Sequence, residues 1–170
     1  MQVLAYKRMK AHEMEFKILT RDLAGNGKTR IDLFKVINGE EKHLLGPLRS
    51  YKEGADYLEN DYMREYTEVV TFCSLLKQAI KERISLFDFD PPEWYEGFDS
   101  SLRHIPVEYK GRELRVEVDV MIKTGYGRIL EATADAIEVL NDDRLQSIIE
   151  RLYEDVWRIF DRFFTEIFTN

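Results

Sequence analysis

Acids alternate with aromatics through residues 87–99, FDFDPPEWYEGFD, the stretch whose residue types could most readily do chemistry. Asp88, Asp90 and Glu93 cluster carboxylates, which hard cations favour, so they are the candidate metal ligands, with Mg²⁺ or Ca²⁺ as the cofactor. Asp88, Asp90 and Asp99 match positions 1, 3 and 12 of a calcium loop. Pro92 and Glu93 stand where that loop needs a ligand and a glycine, so an EF-hand is excluded. Phe87, Phe89, Trp94, Tyr95 and Phe98 could wall a ligand cleft as a lid, or pin the connection over one end of a core.

Glu117, Asp119, Lys123 and Arg128 form a second group, charges at or near the end of a strand, and are the candidate ligand-binding residues. Val116–Val120 resembles half of the metal-nuclease signature of the restriction-endonuclease-like fold, a strand acid followed by E-x-K on the next strand. The E-x-K half is missing, and with it the lysine that would activate water, so a solvated sheet face is expected. Gly27-Lys28-Thr29 ends like a phosphate-binding loop. The first glycine of that motif is replaced by Asp22, and a strand-like run follows where a helix should, so a turn is expected. His12, His43 and His104 fall in different predicted elements without metal-ligand spacing. Cys73 sits mid-face on an apolar stripe and reads as a buried structural thiol. No residue earns a catalytic assignment.

The whole chain bounds these options. Its 170 residues suffice for a single domain, 1–170, with a substantial core. One cysteine and an amino terminus without an apolar core lead to the expectation of a reducing, cytoplasmic location with no membrane partner. The net charge of −7 and pI near 5.1 argue against nucleic acid as a partner. Abundant Glu, Lys and Arg with few amides suggest a thermophilic source.

The elements that must position these residues fall in order. Residues 1–13 are a short helix or a strand, and Met14–Arg21 is a strand. Arg30–Ile37 and Lys42–Leu45 form a hairpin on Asn38-Gly39, and a helix fills most of Tyr51–Arg83. A second hairpin joins Arg103–Tyr109 to Glu113–Lys123 through Lys110-Gly111. Tyr126–Leu140 spaces its apolar residues as a helix, and Asp142–Phe168 as a longer one. The fold expected is α+β, one antiparallel sheet of about five strands in two hairpin units, with three helices mainly on one face and a long amphipathic C-terminal helix.

That last helix carries an apolar arc of roughly 200°, about twice what a surface helix needs. Its centre would face the sheet, leaving Trp157, Phe164 and Phe168 as an edge for a partner. The leading expectation is therefore a non-enzymatic assembly module, a homodimer or the partner of another protein, through that edge. The alternative is a small-ligand or divalent-metal protein, extending to metal-dependent phosphate processing, with residues 87–99 as lid.

Overall fold

In the computed structural model the described residues are 2–11, 14–23, 25, 27–83 and 97–169. The chain divides into two compact units, Met1–Thr67 and Glu68–Asn170.

The first unit is an antiparallel meander of four strands in sequence order: β1 (Gln2–Ala11), β2 (Met14–Leu23), β3 (Lys28–Ile37) and β4 (Glu40–Leu48). Residues 2–11 are thus strand rather than helix. The β3–β4 connection is the expected Asn38-Gly39 turn, both residues at positive φ. A helical run follows: α1 (Tyr51–Asp56), a π-helical turn (Tyr57–Tyr62) and α2 (Met63–Glu82), which continues into the second unit. Ser50 starts it as a capping residue, accepting from the Glu53 N–H, while the Glu53 carboxylate accepts from the Arg49 N–H. Gly54 lets the helix close on the sheet, since a Cβ there would lie 3.0 Å from Ile18 and 3.1 Å from Leu48. Tyr62 packs edge-on against Phe16 at 5.0 Å, and both are fully buried.

In the second unit β5 (Gly97–Tyr109), β6 (Arg112–Gly125) and β7 (Arg128–Val139) form a separate three-stranded meander with β6 central. The alternation of β6 does what its sequence requires: Leu114, Val116, Val118, Val120 and Ile122 are fully buried. Phe72, Cys73, Leu76 and Ile80 of α2 are equally buried.

Two sequence expectations are corrected here. The first is the single sheet of about five strands. Each hairpin instead recruits its nearest neighbour in sequence, β1 and β2 on one side and β7 on the other, giving two sheets. The helix expected over Tyr126–Leu140 is accordingly a turn at Tyr126-Gly127 followed by the strand β7. The β6–β7 pairing slips twice, between Asp119 and Val120 and between Lys123 and Thr124, so Asp135 and Leu130 are extra residues on β7. A bulge flips the inward phase of a strand. Ala132 faces in before the slip at Asp135, and Ile137 and Val139 after it. Spliced together, the two phases imitate helical spacing.

The second correction is the continuous C-terminal helix. It is three short helices, α3 (Asp143–Arg151), α4 (Tyr153–Ile159) and α5 (Phe163–Thr169). The breaks fall at Leu152 (φ −102°, ψ 29°), at Phe160 (φ −91°, ψ 2°) and at Arg162, whose φ is +63°. No glycine or proline marks them. Beyond the Leu152 break, Phe160, Phe163 and Phe164 close into one aromatic cluster with centroids 5.1–5.8 Å apart, while Trp157, Ile159 and Phe168 stay half-buried.

These pieces also close the β7 edge. Thr165 Oγ1 accepts from the Ala132 N–H at 3.0 Å and donates to the Ala132 carbonyl at 2.8 Å. Gln146 accepts from the Val139 N–H at 2.7 Å. Side chains thereby occupy backbone groups that would otherwise recruit another strand.

Candidate functional site

The groups with intrinsic reactivity are largely spent on structure. Cys73 is buried, and burial pushes its thiol up to about 12 despite the opposing charge of Lys77, so it is not a thiolate at neutral pH. Lys35 is buried between the rings of Tyr62 and Tyr66, at 5.3 and 5.2 Å, and donates to the Tyr62 hydroxyl at 2.6 Å. Glu68 accepts from Arg144 through both oxygens (2.8 and 2.7 Å), from the Tyr109 hydroxyl (2.7 Å) and from Lys110 (3.3 Å). The Arg144 hydrogen bonds outweigh burial and, with Tyr109 and Lys110, lower its pKa to about 2. In the first unit Asp32 accepts from Arg30 Nε and lies 3.0 Å from His43 Nε2. Burial alone would raise its pKa, but the Arg30 and His43 hydrogen bonds bring it below the usual value. Gly46 makes room for this carboxylate, as a Cβ there would fall 2.1 Å from Oδ1. Carboxylates held ionised by fixed cations make poor general bases.

The predicted site residues separate. Asp88, Asp90 and Glu93, with most of the acidic–aromatic lid, lie outside the described residues. Among those described, no group of three or more His, Cys, Asp or Glu is placed to hold a metal ion. Glu117, Asp119 and Lys123 do share one face of β6, half-buried. Glu117 lies 3.5 Å from His104, and Asp119 and Lys123 have interactions of their own. The strand after β6 carries Glu131-Ala132-Thr133, with no lysine to complete a nuclease pattern. Arg128 is exposed at the start of β7. Of the predicted interface edge, Phe164 is fully buried and stacks on Phe168, whereas Trp157 and Phe168 are half-buried.

Two concavities stand out among the described residues. In the first unit a groove of about 560 Å³ runs along the head of the helical run, lined among others by Arg49, Lys52, Asp56, Tyr57 and Asp61. Its wall includes the π-helical turn, a distortion frequent at functional sites. In the second unit a cavity of about 200 Å³ opens between β7 and the α4–α5 break. Trp157 and Phe160 are its aromatic walls, Thr133 and Ala134 its strand side, and Asp161 and the left-handed Arg162 its mouth. Trp157 is held by an edge-on contact with Tyr153 at 4.5 Å.

One residue seven positions before Thr133, Tyr126, carried no functional assignment from its sequence. Among the described residues, three two-residue connections put a non-glycine residue at φ near +50° ahead of a glycine: Asn38-Gly39, Lys110-Gly111 and Tyr126-Gly127. Tyr126 is 83% exposed. The signal was legible, an X-Gly pair after a perfectly alternating strand, but the false helical spacing of residues 126–140 obscured it. The chain matches no protein-family model, no curated protein and no solved structure.

Proposed function

We propose that the protein is a non-enzymatic assembly module that self-associates through the Trp157 side of its second unit. The observation that supports this is the cavity of about 200 Å³ walled by Trp157 and Phe160. It lies below the roughly 300–1,000 Å³ of small-molecule sites and is the size of a side chain. Interface energy concentrates where one aromatic or arginine anchor fills such a pocket. The predicted edge of Trp157, Phe164 and Phe168 narrows accordingly to Trp157 and the cavity beside it. Light scattering on the purified chain tests the reading. The mass should rise above the 20.2 kDa of one chain with concentration. The Trp157→Gln variant should stay at the mass of one chain, and a wild type that also stays there sinks the proposal.

A second reading is favoured by the groove of about 560 Å³ in the first unit, which lies within the small-molecule range. Asp56, Arg49 and Lys52 present side-chain charges of both signs around Tyr57, which suits a small polar ligand. Such a ligand would raise the melting temperature in proportion to the logarithm of its concentration over Kd. A screen of amino acids, nucleotides and divalent cations that moves the melting temperature nowhere removes this reading.

A further inference from the structure

Resting on the assembly reading, we infer that Tyr126 is the side chain that fills the Trp157 cavity, inserted by a second copy of the chain in a two-fold symmetric dimer. A left-handed backbone is strained at a bulky non-glycine residue, which is why Asn-Gly dominates such hairpins. Asn38 and Lys110 occupy the equivalent position with polar side chains. Tyr126 combines the same backbone strain with 83% exposure of an aromatic ring. Among the described residues it has no hydrogen bond, ring contact or ion pair within its own chain to offset either cost. An exposed aromatic kept at a strained hairpin tip is an anchor waiting for a pocket.

The second copy is identified by size, charge and symmetry. A cavity of about 200 Å³ with an indole and a phenyl wall takes a phenol ring in edge or offset contact. Arg128, two residues from the tip, and Asp161, at the cavity mouth, are both exposed and neither has a salt bridge among the described residues. They are opposite in sign and pair across the contact, although Arg162, exposed beside Asp161 at the same mouth, carries the sign of Arg128. Knob and hole are carried by one hairpin arm, with Tyr126 at its tip and Thr133 and Ala134 further along β7. Two copies related by a two-fold axis then exchange tips, each filling the cavity of the other, and the contact closes as a dimer. Seven residues of strand separate Tyr126 from Thr133, so the two contacts would lie roughly 20 Å apart, within the span of a standard interface. Thr165 already occupies the backbone of Ala132, so the copies meet through side chains and not by extending the sheet.

Sedimentation velocity on the full chain, from low to high micromolar, tests this with Tyr126→Asn and Thr133→Arg, the latter closing the cavity with a like charge. Each variant alone should dimerise at least ~30-fold more weakly than wild type. Their equimolar mixture should associate more tightly than either alone, because an intact tip still meets an intact cavity once per pair. At a dilution where wild type is monomeric, Tyr126→Asn should melt a degree or more higher, having relieved the turn; a lower melting point overturns the strain argument. Dimerisation lost in Thr133→Arg but unchanged in Tyr126→Asn overturns the tip and leaves the assembly reading standing. A wild type that is monomeric throughout, or a dimer indifferent to both variants, overturns both.

Discussion

Asp32 in the first unit and Glu68 in the second are both buried carboxylates kept ionised by cations, yet they tie together very different lengths of chain. Asp32 is held by Arg30, two residues away on the same strand, and by His43, eleven away on the next. Glu68 is held by Tyr109, Lys110 and Arg144, across 41, 42 and 76 residues. A pair two residues apart survives in part in the unfolded chain, so it stabilises the native state less than its geometry suggests. The Glu68 network exists only once α2, the β5–β6 turn and α3 have met. Similar local chemistry is thus a strand-level feature in one unit and a tertiary staple in the other.

Neutralising each carboxylate without changing its shape exposes that contrast. Glu68→Gln should cost about 2–3 kcal/mol, because several charge-assisted hydrogen bonds to a buried group are lost together. Asp32→Asn should cost roughly 1–2 kcal/mol, since it has two side-chain partners where Glu68 has three, and one of them, Arg30, is only two residues away. Urea unfolding measures both, and an Asp32 effect equal to or larger than that of Glu68 breaks the comparison. Acid provides a second readout. The Glu68 pKa is lowered on folding from 4.5 to about 2, so its contribution is complete above pH 4.5 and is lost as pH falls toward 2. Wild type should therefore lose stability faster than Glu68→Gln across that window.

Local chemistry was readable in the sequence wherever a single element settled it. The Asn38-Gly39 and Lys110-Gly111 turns, the five inward residues of β6 and the buried face around Cys73 all follow from spacing within one segment. The failures share one physical cause, in that tertiary contacts overrode the local pattern. Bulges at Leu130 and Asp135 gave β7 a helical period, and pairing with β6, not propensity, decided the outcome. The terminal helix broke at Leu152 and Phe160, ordinary helix residues whose types and spacing carry no local signal of a break. The α+β class was legible and the division into two sheets was not. Of the candidate site, Trp157 was visible as the flank of an arc, whereas Phe160, Asp161 and Arg162 meet it only through that break. The Glu68 network had no local signal at all, since its members are scattered from residue 68 to 144.

The finest division lies inside that network, and Lys110 is where it shows. Its ammonium reaches Glu68 at 3.3 Å, but the side chain is 66% exposed, and exposed ion pairs contribute about 0–1 kcal/mol. Its backbone sits at φ +49° ahead of Gly111, a conformation that asparagine adopts more readily than lysine. Lys110→Asn therefore removes a weak attraction and relieves a weak strain. The two terms are of similar size and opposite sign, so urea unfolding should place the variant within about 0.5 kcal/mol of wild type. Arg144 and Tyr109 would then carry the staple, with Lys110 a turn residue whose charge lies close by. A loss above about 1.5 kcal/mol would instead make Lys110 a full member of the network and put it beyond the range of an exposed pair.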